Sequence, residues 1–188
     1  MKNIAIFASG SGTNAENIIK HFENHPEISV NIVLTNNKNA FVLERCKTLG
    51  VDSFVFNRNS FYNTEEVMEK LAEYDTDFVV LAGFLWLIPD NLLEKFANNM
   101  INVHPALLPH YGGKGMYGMN VHNAVYENKE TESGITIHYV NAEYDSGDII
   151  FQAKCSLEST DTPDLIAQKV HKLEYEHFPK IIESLLVK

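Results

Sequence analysis

The amino-acid sequence predicts an α/β fold of three layers, a mostly parallel twisted sheet with helices on both faces. Three observations carry that expectation. Short apolar runs rich in Val and Ile alternate with amphipathic stretches along the chain, the pattern of a parallel sheet covered by helices. The first such run leads straight into a glycine-rich loop and then a helical pattern. Finally, 188 residues at 45% apolar composition suffice for one ordinary core, so one domain over residues 1–188 is expected.

Asn3 to Ala8 reads as the first strand and Asn14 to about His21 as a helix. A strand at Val30 to Thr35, a helix at Ala40 to Leu49, a short strand at Ser53 to Phe56 and a helix at Thr64 to Glu73 follow. Phe78 to Ala82 is the most apolar strand and therefore the most buried. After Pro89 a helical turn or two, Asn91 to Ala97, leads to a strand ending at Val103-His104, where Pro105 imposes extended geometry on the residue before it. Pro105 to Met119 is punctuated by prolines and glycines and reads as loop. A short helix at Val121 to Glu127 precedes strands at Gly134 to Val140 and Ile149 to Ala153, joined by an acidic turn. Thr162-Pro163-Asp164 then opens a long helix, a capping hydroxyl followed by proline at the first helical position, with a kink expected at Pro179.

Fifteen Lys+Arg against 25 Asp+Glu give a net charge of −10. Such a chain has no broad electropositive surface for a nucleic-acid backbone, although a local pocket for one phosphate is compatible with it. The longest apolar run, Phe78 to Ile88, is short of the roughly 20 residues of a membrane-spanning helix. The N-terminal stretch reaches glycines too soon for a secretory signal, so a cytosolic location is expected. Two separated cysteines, Cys46 and Cys155, indicate neither a disulfide framework nor a zinc site, and both read as buried thiols.

Ser9-Gly10-Ser11-Gly12-Thr13-Asn14-Ala15 lies between strand and helix, where backbone N–H groups and the positive end of a helix dipole favour an anion. The spacing also satisfies the dinucleotide fingerprint, but the acidic residue expected some 20 positions on is replaced by Thr35-Asn36-Asn37. The loop is therefore read as a phosphate cradle for a mononucleotide-like ligand. The plain alternative is a glycine turn that merely lets strand and helix pack closely.

Asn102 and His104 share one face of a strand, with Val103 pointing the other way, at the carboxyl end where ligands bind in open α/β sheets. Two adjacent donors, one able to carry charge, suit a tetrahedral oxyanion. Asp145 is the best-placed acid to hold that imidazole protonated, with Asp148 and Glu143 as alternatives. His110, His122 and His138 fit no metal-ligand template, so no metal is expected. Trp86, in the run Phe84 to Ile88 after Ala82-Gly83, is a plausible wall for a flat heterocycle.

Taken together, Ile6 to Asn14, Val80-Leu81-Ala82-Gly83-Phe84, Ile101 to Pro109 and Gly134 to His138 running on to Asp145-Ser146-Gly147 resemble the phosphoribosylglycinamide formyltransferase family. The Asn-x-His-Pro-x-Leu-Leu-Pro run marks folate-dependent formyltransferases, and the Ser-Gly-x-Gly-[Ser/Thr]-Asn loop narrows the resemblance to the glycinamide ribonucleotide branch. The resemblance implies a Rossmann-like formyltransferase fold and transfer of a formyl group from 10-formyltetrahydrofolate to the amine of 5′-phosphoribosylglycinamide in purine biosynthesis. By it Asn102, His104 and Asp145 match the catalytic trio, and Gly12, Thr13 and Asn14 the ribonucleotide phosphate loop. Leu85, Trp86, Leu87 and Ile88 match the folate pterin wall, with Asn141 to Asp145 closing that pocket and Asn102 facing it. Glu174 matches an acid that contacts the glycinamide end.

Two departures stand out. Some members carry basic residues where Trp86 stands and near Thr64, and Gly112 to Met119 is a longer loop than the best-known members have, with Lys114 as a compensating charge. The implied partners are small-molecule substrates, with no nucleic acid or membrane, in a monomer or homodimer. Alternatives are another formyl acceptor (an amino sugar nucleotide, a methionyl-tRNA or water) or a non-catalytic nucleotide-binding module. The tRNA version would want an added basic domain and the water version an N-terminal regulatory one.

Overall fold

The computed structural model describes residues 1–187. Seven strands form one sheet: β1 (Lys2–Phe7), β2 (Ile28–Thr35), β3 (Asp52–Val55), β4 (Phe78–Leu81), β5 (Met100–His104), β6 (Glu132–Tyr139) and β7 (Ile149–Ser156), in the order β3-β2-β1-β4-β5-β6-β7. The first five pair in parallel, while β6 and β7 are antiparallel additions. Strand order reverses direction between β1 and β4, which opens a crevice at their carboxyl ends.

The side-chain alternation of a doubly covered sheet is explicit. Ile4, Ile6 and Ala8 of the first strand segment enter one core, and Ala5 and Phe7 the other. The first core lies under α1 (Thr13–Phe22), α2 (Val42–Leu49), α6 (Met119–Glu127) and α7 (Pro163–Leu186). The second lies under α3 (Arg58–Tyr62), α4 (Glu66–Glu73) and α5 (Asp90–Lys95). In β2 the alternation changes phase: Val30 faces the first core, and so does Val33. Asn31 is the reason, because β1 pairs Ile4 with Val30 and Ala5 with Ile32, leaving Asn31 as the extra residue of a bulge.

The three-layer α/β architecture agrees with the sequence reading, and three local differences have physical causes. Helix α3 is absent from that reading because five residues are too few to show a helical period. It is nucleated by Asn57, whose side-chain oxygen accepts from Asn59 N–H (2.8 Å) and Ser60 N–H (3.0 Å). Strands β6 and β7 run longer than expected because their register continues out to Glu132 opposite Ser156. Helix α7 is assigned without a break through Pro179. Proline there has no N–H for the Tyr175 carbonyl, and Asn17 of α1 donates to that carbonyl instead at 2.9 Å. The defect becomes a tie between two helices. Cys46 is buried, as expected, but Cys155 is only half-buried.

Among the described residues no helix is long and apolar enough to cross a membrane.

Candidate active site

The crevice at the carboxyl ends of β1 and β4 is a cavity of about 620 Å³, within the range of small-molecule sites. Backbone and side-chain bonds hold its two rims together: Ser9 N–H donates to the Gly83 carbonyl (3.1 Å) and Leu85 N–H to Ser9 Oγ (3.1 Å). The glycine loop forms one wall. Gly12, at φ 72° and ψ 23°, turns the chain into α1, and a Cβ on it would lie 2.3 Å from Val42 Cγ2. Carbonyls of the loop turn away from the cavity: Gly10 accepts from Val42 N–H (3.2 Å) and Ser11 from Arg45 Nε (2.7 Å), while the Arg45 guanidinium also bonds Glu16. The N–H groups of Thr13, Asn14 and Ala15 precede the first bond of α1, from Glu16 N–H to the Gly12 carbonyl, and have no intrahelical acceptor.

Asn102, His104 and Asp145 come together on the same cavity. His104 is 3% exposed, its Nδ1 is 3.4 Å from Asp145 Oδ2, and its Nε2 is 2.7 Å from the Tyr111 carbonyl. Both ring nitrogens thus face oxygens that accept, the arrangement that an imidazolium satisfies in full. Of the three acids considered from sequence, Asp145 is the one that reaches the histidine. Burial alone would raise its carboxyl, but pairing with His104, the His104 charge and the Gly113 N–H (2.9 Å) hold it well below the usual carboxylate range. Both Asp145 and Tyr111 have positive φ, 54° and 57°. For a residue as bulky as tyrosine this is a strained conformation, and here it aims the carbonyl at His104.

His138 belongs to this cluster and was missed from sequence as anything but an alternating strand residue. It is the register partner of Asn102 across β5 and β6. Its Nδ1 lies 2.8 Å from the Tyr139 carbonyl and must carry the proton, so Nε2 accepts from Asn102 Nδ2 at 3.1 Å. The signal was present: Thr136 and His138 are polar at alternate positions of a strand whose other face holds Ile135 and Ile137. The same argument had singled out Asn102 and His104. Thr136 is fully used below the site, donating to the Ala106 carbonyl and accepting from Leu108 N–H and Gln152 Nε2. It anchors the start of the loop that follows His104.

Glu174 of α7 is 5% exposed and accepts from Asn14 Nδ2 at 2.8 Å, so the last helix meets the glycine loop directly. Burial raises its carboxyl, against the Asn14 hydrogen bond and the charges of His171 and His104. The sign follows from proton linkage: a carboxyl that holds its proton more tightly when folded lowers stability as pH rises past the ordinary carboxylate range, and the loss is complete above its raised folded value. Glu174→Gln retains an oxygen for Asn14 and removes that loss. We expect a higher thermal midpoint at neutral pH, on the order of 2–4 °C per kcal/mol recovered, and a flatter pH dependence of melting. An unchanged or lower midpoint at neutral pH would contradict this account of the carboxyl.

An adjoining recess shares Phe84, Asn102, Tyr144 and Asp145 with the main cavity. Trp86, Leu87, Ile88 and Asn141 line the recess, whereas Leu85 faces the main cavity. Trp86 stacks on Tyr62 (6.0 Å, 27°), and the Arg58 guanidinium lies 5.2 Å over its ring. A cation therefore stands beside Trp86, although the tryptophan itself carries no charge. Thr64 is used locally, its hydroxyl donating to the Ser60 carbonyl. Asn141 shapes its own turn, its side-chain oxygen accepting from Glu143 N–H and Ser146 Oγ. Lys114 is exposed at the cavity edge. No group of His, Cys, Asp and Glu among the described residues is arranged to hold a metal ion.

Known proteins share this chain's sequence pattern and fold. The formyl transferase family model matches residues 2–182. A phosphoribosylglycinamide formyltransferase of Bacillus subtilis (strain 168) is 34% identical over 191 residues, covering 99% of this chain and 95% of that protein. A chloroplastic enzyme of the same name from Arabidopsis thaliana is 37% identical over 193 residues, and the match takes in 98% of this chain but 65% of the length of that protein. The crystal structure of phosphoribosylglycinamide formyltransferase from Bacillus halodurans superposes with a TM-score of 0.87 at 34% identity, covering 100% of this chain and 96% of that one.

Proposed function

The chain belongs to the formyl transferase family, and from that membership we propose that it transfers the formyl group of 10-formyltetrahydrofolate to the amine of 5′-phosphoribosylglycinamide, giving formylglycinamide ribonucleotide in purine biosynthesis. The observation that carries the reading is that His104, paired with Asp145 and neighboured by Asn102, lines the same cavity as the glycine loop and Glu174. One reaction centre then lies between an anion cradle and an apolar recess. The reading includes small-molecule substrates only, a single domain over residues 1–188, a cytosolic monomer or homodimer, and no metal.

Each residue has a task. The N–H groups of Gly12, Thr13 and Asn14 hold the phosphate, and Glu174 receives the glycinamide end. The recess beside Asp145, aromatic at Phe84 and Trp86 and polar at His138 and Asn141, suits a flat heterocycle with a hydrogen-bonding edge. Leu85 to Ile88, Asn102, Asn141 and Asp145 therefore take the folate, which supplies the formyl group as a substrate.

With both substrates held, the amine attacks the formyl carbon. A carbon–nitrogen bond forms, the bond to the folate nitrogen breaks, and one proton passes from amine to that nitrogen. Proximity lowers the barrier by up to about 7–11 kcal/mol where orientation is good. Asn102 Nδ2 gives one hydrogen to His138 and keeps the other for the developing oxyanion. The sequence reading expects two adjacent donors for the oxyanion; in the structure His104 Nε2 lies 2.7 Å from the Tyr111 carbonyl, which engages it. Exchanging that neutral acceptor for an oxyanion strengthens the bond only as charge develops, which favours the transition state over the ground state. Asp145, held well below the ordinary range, is a better counter-ion than base. The proton is therefore relayed by water along it rather than stored on it.

The test is formyl transfer assayed with glycinamide ribonucleotide, with other amine acceptors, and with water alone. Turnover is expected with the ribonucleotide, and quenching of Trp86 fluorescence by a folate. Turnover with another acceptor but none with the ribonucleotide would overturn the reading, and absence of folate binding would overturn formyl transfer altogether.

A further inference from the structure

The imidazole of the reaction centre faces a backbone atom, and that stretch of backbone is held from a distance. His104 Nε2 lies 2.7 Å from the Tyr111 carbonyl, and two residues further on Gly113 N–H donates to Asp145 at 2.9 Å. One short segment therefore touches both members of the His104–Asp145 pair. It passes close to them: a Cβ on Gly112 would come within 2.5 Å of Leu108 Cδ2 and 3.3 Å of Asp145 Cβ. Little in the segment fixes its own path. Tyr111, at φ 57°, holds a left-handed conformation that L-residues rarely adopt, and the two glycines after it impose no restraint on the turn.

The tyrosine side chain supplies the anchor. Its ring packs against the first core, and its hydroxyl donates to Glu130 Oε1 at 2.6 Å. Burial first, then the bond to Glu130 and the charge of that carboxylate, raise the phenol above its ordinary range, so the hydroxyl keeps the hydrogen it donates. Glu130 is exposed, yet its place is set by the end of α6. Lys129, at φ 53°, turns the chain there, Lys129 N–H closes on the Tyr126 carbonyl at 3.0 Å, and Glu130 N–H closes on the Val125 carbonyl at 3.2 Å. The carboxylate thus stands at a fixed point two residues before β6.

Resting on the formyl transfer proposed above, we propose that Glu130 is a positioning residue for that reaction: by holding the Tyr111 hydroxyl it keeps the Tyr111 carbonyl on His104 Nε2. A carbonyl only accepts, so the ring nitrogen opposite it carries a hydrogen. That is the hydrogen a developing oxyanion needs. With the carbonyl turned away, a neutral ring places its single hydrogen on Nδ1, toward Asp145, and presents a lone pair to the oxyanion. Among the described residues that line the cavity, neither Tyr111 nor Glu130 occurs. The effect therefore falls on the rate and not on the binding of either substrate.

The test compares Tyr111→Phe, Glu130→Ala and Glu130→Gln in the whole protein, by steady-state kinetics with both substrates and by histidine-selective ¹⁵N NMR, which reads which nitrogen of His104 carries hydrogen. Tyr111→Phe and Glu130→Ala are each expected to lower kcat about tenfold or more, since misplacement of a reacting group by about 1 Å costs up to about 10²-fold, with both KM values little changed. The two together are expected to be no worse than either alone. In both, His104 Nε2 is expected to lose its hydrogen in part of the molecules. Glu130→Gln keeps an oxygen for the hydroxyl and is expected to recover most of the rate. An unchanged kcat in Glu130→Ala, a lower melting midpoint without a lower kcat, or a lower kcat with the Nε2 hydrogen fully retained overturns the proposal. So does a loss in Glu130→Gln as large as in Glu130→Ala. If wild type transfers no formyl group, the functional reading fails, and the NMR comparison still decides whether Glu130 holds Tyr111 against His104.

Discussion

His104→Ala is expected to lower kcat for formyl transfer by about 10³-fold or more, with KM for the ribonucleotide changing far less. The magnitude combines loss of an oxyanion donor, about 10²–10³ by itself, with loss of the group paired with Asp145. The selectivity for kcat follows from placement. His104 ends β5, whereas the phosphate cradle is built by β1, α1 and the contact with α2, so removing the imidazole leaves the cradle's supports untouched. Asp145→Asn is expected to fall in the same range by a different route. The amide is isosteric and still accepts from Gly113 N–H, but it removes the negative charge paired with His104. If the pair acts as a unit, the double variant is little worse than either single one. Steady-state rates at saturating concentrations of both substrates decide the matter. A near-normal kcat in either variant would remove these residues from the reaction.

The elements and the cluster were legible in the sequence to different degrees, for identifiable reasons. The sheet could be read because strands buried on both faces are short continuous runs of Val, Ile, Phe and Leu, and the glycine loop because its turn into α1 requires a residue without a Cβ at position 12. Asn102 and His104 stood out because polar residues at alternate positions in an apolar strand need an explanation. The same argument applies to Thr136 and His138, and His138 would have followed from it; what sequence could not provide was the β5–β6 register that sets it against Asn102. Tyr111 left no trace in composition, since it acts through a backbone carbonyl whose direction depends on a positive φ. His122 and His171 lie 49 positions apart and meet only through the packing of α6 on α7. Pairwise geometry of this kind is a property of the folded chain, whereas periodicity is written residue by residue.

Gly12→Ala is expected to cost about 2–5 kcal/mol of stability and to weaken ribonucleotide binding at least about tenfold. Two costs add. A left-handed conformation in an L-residue costs roughly 1–2 kcal/mol, and overpacking a filled site costs typically about 1–3 kcal/mol more. The new Cβ would lie 2.3 Å from Val42 Cγ2, 2.5 Å from its Cβ and 2.9 Å from its Cα. Side-chain rotation cannot relieve a contact with Cα, so either α2 or the loop must move. Movement of the loop breaks the bond from Val42 N–H to the Gly10 carbonyl and turns the N–H groups away from the phosphate. Gly10→Ala is the contrast, since nothing lies within 4 Å of its Cβ position and its φ is not positive; it should cost less than about 1 kcal/mol. Val42→Ala should not rescue Gly12→Ala, because it removes the atom at 2.3 Å and leaves those at 2.5 and 2.9 Å in place. Denaturant titration and ribonucleotide binding of the three variants measure both effects. Full recovery in the double variant would mean that the strain lies in a flexible side chain and that the backbone of α2 is not what fixes the loop.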